Sequence, residues 1–212
     1  MAATVRHWLG AQKYAIGQTL RKLAYRTPTP WSKQVVARFW EEQAEFIHQQ
    51  WGYDQHDFAI LSRIFTHYGV TAVIDVGCGS GRLFDLYAQQ GLRDVVGVDI
   101  SEKALQLANE RHPWVPTQQG KVEDLAFPNA RFDLAICNRV LQHIPPAAIG
   151  DALAKLCTIA RRVYVNELTH SDELDEEFFM FRHDYEALFA EAGLHRLESG
   201  PIGRQTYYLY GK

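Results

Sequence analysis

The chain has 212 residues, enough for a domain with a substantial core. Hydrophobic residues make up 47% and charged ones 22%, which excludes a disordered or fibrous chain, and a formal net charge of -3 gives no general attraction to nucleic acid. Cys78, Cys137 and Cys157 form no C-x-x-C pair, which argues for free thiols in a reducing, cytoplasmic compartment.

In chain order, apolar residues at 5, 8, 9, 16, 20 and 23 predict one stripe of a helix. Arg6, Lys13, Arg21, Lys22 and Arg26 surround it and no acid occurs before residue 31, so the start of the chain is a basic arm on an acidic body. This arm lacks the continuous apolar block of a signal peptide, and no run approaches the length of a membrane span. Pro28 and Pro30 break the helix. A second helix is expected from Ser32, as N-cap, to about Gln50, and a third from Asp57 to Tyr68, closed by Gly69.

An alternation then begins. Strands are expected at 71–76, 94–99, 115–118, 132–137 and 161–167. Helices are expected at 82–90, at 102–111 with Ser101 as N-cap, and at 146–160 with Pro146 in the first turn. A further helix, 182–192, is expected to bury Tyr185, Leu188, Phe189 and Ala192. Strands at 194–199 and 205–210 close the chain as a hairpin around Gly200-Pro201-Ile202-Gly203. The alternation predicts an α/β fold, a doubly wound parallel sheet with helices on both faces, here preceded by a helical extension. Residues 1–68 are that extension and 69–212 the core.

The most informative stretch runs from Asp75 to Gly81. A β-branched strand ends in an acid, and glycine recurs at 77, 79 and 81. Bare backbone there lets a ligand approach the turn between strand and helix. The dinucleotide fingerprint G-x-G-x-x-G fails because Arg82 takes the place of its third glycine, and no P-loop run occurs. A second strand ends at Asp99, so two acids and the glycine turn outline a pocket for a ribose-bearing cofactor.

D-x-G-x-G-x-G with the spaced Asp99 resembles the class I S-adenosylmethionine-dependent methyltransferases, from about Thr71 to the C-terminus. The resemblance implies a Rossmann-like seven-stranded sheet of order 3-2-1-4-5-7-6 with strand 7 antiparallel, S-adenosyl-L-methionine as cofactor and S-adenosyl-L-homocysteine as product. It implies that Gly77, Cys78, Gly79 and Gly81 pack against the methionine part and that Asp75 orients it or a bound water. Asp99, beside Ile100, is expected to take both ribose hydroxyls, since each carboxylate oxygen accepts a hydrogen bond. Val122 with Glu123 or Asp124 is expected to bracket adenine, and Asn138 and Val140 to border the cofactor. His143 either takes the acceptor's proton or braces its loop; Glu167 and His170 are alternates, and His183 and Tyr185 lie where they could face the substrate.

The expected activity is methyl transfer to oxygen or nitrogen of a small-molecule acceptor. The alternatives are a protein or peptide acceptor, or a non-catalytic cofactor-binding partner. No required metal is expected, because Asn138 and Asn166-Glu167 make a poor hard-cation set. Duplex nucleic acid is not expected either, since Asn138-Arg139-Val140-Leu141 is not a base-amine motif and no Pro-Cys nucleophile exists. Family resemblance makes the extension a lid, with Trp8, Trp31, Trp40 and Trp51 as aromatic walls. Alternatively, residues 1–26 touch a membrane surface or an anionic partner.

Overall fold

The computed structural model describes residues 33–53, 55–168, 180–203 and 205–212. The expected first helix, the proline break, the Ser32 cap, Trp8, Trp31 and His170 lie outside them.

Seven strands form one sheet: β1 (Ala72–Val76), β2 (Asp94–Asp99), β3 (Thr117–Gln119), β4 (Leu134–Asn138), β5 (Arg162–Leu168), β6 (His195–Ile202) and β7 (Gln205–Gly211). Their order is β3-β2-β1-β4-β5-β7-β6. The pairs from β3 through β5 are parallel, and β7 runs antiparallel to both β5 and β6. β1 sits at the switch between the halves, and all five of its residues are buried. Coverage on both sides explains why it is apolar apart from Asp75.

The helices are α1 (Lys33–Trp51), α2 (Phe58–Tyr68), α3 (Phe84–Gln89), α4 (Glu102–Arg111), α5 (Pro146–Ile159) and α6 (Tyr185–Glu191). Leu61 and Ile64 of α2, Phe84 and Tyr87 of α3 and Leu105 of α4 pack on one sheet face with Val73, Leu134 and Ile136. Ile149, Leu153 and Leu156 of α5 and Phe189 of α6 pack on the other with Ile74, Ala135 and Val163. Each such fully buried side chain contributes about 1.5–3 kcal/mol.

Several boundaries differ from the sequence expectation. Residues 79–83 stay in turns, with Gly81 N–H bonded to Cys78 O, so α3 starts at Phe84. Ser101 caps α4 as expected, accepting from Ala104 N at 3.0 Å. Asp57 stands at the α2 N-cap position without capping it, because its carboxylate is turned to Arg82. β6 absorbs Gly200 and Pro201 and ends at Ile202, so the hairpin turn is tighter. α6 begins at Tyr185, capped by Asp184, and fully buries only Phe189; Tyr185, Leu188 and Ala192 are half-buried.

Candidate functional site

The site grows from the glycine turn. Gly77 N–H and Cys78 N–H both donate to Val98 O, at 2.7 and 3.0 Å, which folds the end of β1 toward β2. Gly77, Gly79 and Gly81 have φ of 71°, 55° and 76°. These are left-handed values that side chains disfavour, so the glycine spacing is a backbone requirement.

Asp99 completes the turn. Its Oδ2 accepts from Gly79 N at 2.8 Å and its Oδ1 from Ser101 N at 2.9 Å, so one carboxylate ties the glycine turn to the start of α4. Burial raises its pKa, opposed by the N–H groups of Ser101, Gly79 and Ile100. Each oxygen keeps further lone pairs for hydroxyl donors.

Helix α1 forms a wall over this turn. Its Val36, Trp40, Ala44, Ile47 and Trp51, at helical spacing, line the cavity. Glu41 on the same helix accepts from Ser101 Oγ at 2.8 Å and from Lys103 N at 3.2 Å, docking α1 on the positive end of α4. His48 Nδ1 meets Ser80 Oγ at 2.9 Å, and Arg111 donates to both Gly52 O and Ser80 O. Arg82 forms two hydrogen bonds with the fully buried Asp57, at 2.8 and 3.0 Å, and the Asn138 amide also donates to Asp57.

The loop after β4 meets α1 where His143 touches Trp40. Arg139, at φ 60°, donates its N–H to Asn166 O at 2.7 Å. Val140 and Leu141 N–H both donate to Glu167 Oε1, at 3.1 and 2.9 Å. Burial pushes the Glu167 carboxyl up to about 8. His143 lines the cavity, its ring 4.6 Å from that of Trp40 and roughly edge-on.

Together these walls enclose about 640 Å³, within the usual range for ligand sites. Of the residues expected to hold the cofactor, Gly77, Cys78, Gly79, Asp99, Ile100, Val122, Glu123, Asn138 and Val140 line it. Three of the expected cofactor residues, and the catalytic candidate Glu167, do not line it. Asp75 lies under the turn, accepting from the Tyr87 hydroxyl at 3.0 Å, and burial pushes its carboxyl up to about 7. Gly81 is turned to Phe84, and Asp124 lies beyond Glu123 in a short 3-10 turn. Glu167 holds the loop's amides and does not face the cavity. His183 is occupied with Ile144 O at 2.9 Å, and neither it nor Tyr185 lines the cavity. Cys78 and Cys137 are buried thiols with pKa values pushed up by desolvation, so they are poor nucleophiles.

Sequence reasoning missed Ser80, Arg82, Lys121 and Arg139, which also line the cavity. The Arg82–Asp57 pair joins residues 25 apart with no local signal. The α1 stripe at 36, 40, 44, 47 and 51 was legible as a spacing, but nothing local told a cavity wall from a core face.

The strand order and the glycine turn leave little freedom of assignment, and residues 73–162 match the family described as a methyltransferase domain. That match spans 90 of the 212 residues, and the strand order around it is the one that the resemblance implied. The chain is 31% identical over 149 residues to the ubiquinone biosynthesis O-methyltransferase of Bordetella parapertussis, covering 65% of this chain and 58% of that one. The protein of the same name from Acinetobacter baylyi is 30% identical over 149 residues, covering 65% and 60%. The chain thus spans about three fifths of the length of these curated relatives.

Two solved structures share the fold. Magnesium protoporphyrin IX methyltransferase from Synechocystis, with bound SAM, superposes with a TM-score of 0.69 at 18% identity, covering 87% of this chain and 98% of that one. The 1,6-didemethyltoxoflavin-N1-methyltransferase of Burkholderia thailandensis gives 0.69 at 22%, covering 88% and 91%.

Proposed function

We propose that the protein is an S-adenosyl-L-methionine-dependent methyltransferase that acts on oxygen or nitrogen of a small molecule. The observation that carries this reading is Asp99, whose two oxygens clamp Gly79 and Ser101 while the residue lines the cavity. A carboxylate so fixed suits a ribose diol, and the turn beside it presents main chain instead of side chains.

The donor set fits the cofactor. Gly77 to Ser80 would hold its amino-acid part, Asp99 and Ile100 its ribose, and Val122 and Glu123 its base. When bound, the sulfonium supplies an activated methyl group. The chain's own contribution is alignment and exclusion of water, which can supply most of the rate of such a transfer. Trp40, Ala44, Ile47 and Trp51 of α1 line the cavity together with Val140 and His143, whose ring meets that of Trp40. In this reading residues 33–68 act as a lid docked by Glu41, His48 and Asp57.

The names of the curated relatives support a small-molecule O-acceptor, and the apolar wall of α1 supports an apolar one. Among the described residues no helix is long and apolar enough to cross a membrane. The free cysteines support a reducing, cytoplasmic setting.

The test is transfer of a labelled methyl group into cell extract divided by molecular size. Label should enter the low-mass fraction. Label confined to protein, or absent from both fractions, would overturn the small-molecule reading.

A further inference from the structure

We propose that the side-chain oxygen of Asn138 accepts the α-ammonium group of the cofactor, and that Asp57 holds it in place for that task. The proposal deepens the methyltransferase reading and rests on it.

Asn138 is the last residue of β4 and lines the cavity. Its Nδ2 donates to Asp57. Asp57 is fully buried, and its two oxygens already take hydrogen bonds from Arg82 at 2.8 and 3.0 Å, so it is a carboxylate that accepts. The atom facing it must be the amide nitrogen, which settles the orientation of the carboxamide and turns Oδ1 away from Asp57. That oxygen has no partner among the described residues, and it is not shut off in the core. Asn166, the register partner on β5, is fully buried and does not line the cavity. Of this cross-strand pair only Asn138 reaches a ligand.

The sheet decides which part of a ligand is in reach. β1 and β4 run parallel with Val76 opposite Cys137, so the next residues, Gly77 and Asn138, stand side by side where the two strands end. Gly77 to Ser80 are the residues proposed to hold the amino-acid part of the cofactor, which carries one carboxylate and one ammonium. An amide oxygen only accepts, so it repels the first and takes the second. Asp57 strengthens that preference, because an N–H drawn toward a negative charge polarises the amide and leaves more negative charge on its oxygen. Asp57 belongs to residues 1–68, so docking of the extension and recognition of the ammonium share one chain of hydrogen bonds.

The test is calorimetric titration of the full chain with two probes: S-adenosyl-L-homocysteine, and its analogue in which hydrogen replaces the α-ammonium group. The wild type should prefer the first by about ten- to a hundredfold, the range for a hydrogen bond to a charged group. Asn138→Ala should lose most of that preference by weakening S-adenosyl-L-homocysteine while the affinity for the analogue stays as it was. Asp57→Asn still offers Arg82 an oxygen but no longer fixes the Asn138 amide, and the preference should shrink there too. A general loosening of the site would weaken both probes alike and leave their ratio intact, so the ratio separates recognition from structure. Equal binding of the probes by the wild type, or the full preference retained in Asn138→Ala, would overturn the proposal; the full preference retained in Asp57→Asn would overturn the part given to Asp57. A crystal structure of the wild type with S-adenosyl-L-homocysteine decides the matter without any variant: the ammonium nitrogen should lie within hydrogen-bonding distance of Asn138 Oδ1, and its placement elsewhere would overturn the proposal. Binding of neither probe to the wild type would instead sink the methyltransferase reading itself.

Discussion

The backbone of Gly77 and the side chain of Val140 are packed so closely that a Cβ at position 77 would overlap Cγ2 of Val140. The turn after β1 and the loop after β4 are thereby locked together across the switch point of the sheet. Gly77→Ala carries two separate penalties. The left-handed φ of 71° costs a side-chain-bearing residue about 1–2 kcal/mol, and the overlap adds to it. In chemical denaturation, adding Val140→Ala should restore the steric part and leave the conformational part. Full recovery in the double variant would show that φ is not a constraint there.

That contact shows which parts of the molecule could be read from the residues in order. The glycines at 77, 79 and 81 announce themselves because positive φ demands them. β1 and β2 announce themselves by runs of Val and Ile, broken only by Asp75 in β1 and by Gly97 and the terminal aspartates in β2. Asp99 was legible from its place at the end of β2. The place of Asp75 under the turn was not legible, because strand alternation alone did not reveal that Tyr87, twelve residues on in α3, would meet its carboxylate. Glu167 read as a catalytic candidate because it stands at the carboxyl end of β5, but its oxygen is taken by two amides 26 and 27 residues earlier. Long-range partners such as Asp57 and Arg82 leave no trace in local pattern.

Asp57 is fully buried against Arg82, whose side chain is 15% exposed. Asp57→Ala would leave the guanidinium without its carboxylate, at a cost of about 3–5 kcal/mol. Asp57→Leu combined with Arg82→Met should cost much less, since an apolar pair of similar volume replaces both charges. Urea titrations of the two variants check this; equal losses would refute it.

Two buried carboxyls contribute to the pH dependence of stability. Burial pushes Asp75 from an ordinary 3.8 to about 7 and Glu167 from 4.5 to about 8. The unfolded chain releases these protons near the ordinary values while the folded chain keeps them. Stability from this source is therefore present below about pH 4 and lost as pH rises to about 8, by up to roughly 4 kcal/mol per group. Asp75→Asn and Glu167→Gln should each flatten the fall of melting temperature across that window. A wild-type melting temperature that rises with pH there, with no flattening in either variant, contradicts the assignment.

Glu41 joins α1 to the first turn of α4 through Ser101 and Lys103. Glu41→Ala should cost about 0.5–2 kcal/mol, the range for loss of a helix cap. It should also weaken cofactor binding, because the wall formed by Trp40 and Trp51 is no longer docked. Thermal unfolding and a binding titration report the two effects separately; a stability loss with unaltered binding would show that α1 does not cover the cofactor.

The central claim is that the cleft at the ends of β1 and β2 takes an adenosyl cofactor through Asp99. Calorimetric titration with S-adenosyl-L-homocysteine tests it most directly. One molecule should bind per chain, and Asp99→Ala should weaken binding by roughly one to two orders of magnitude, as for loss of strong carboxylate hydrogen bonds. No binding to the wild-type chain, or equal binding to both proteins, would contradict it.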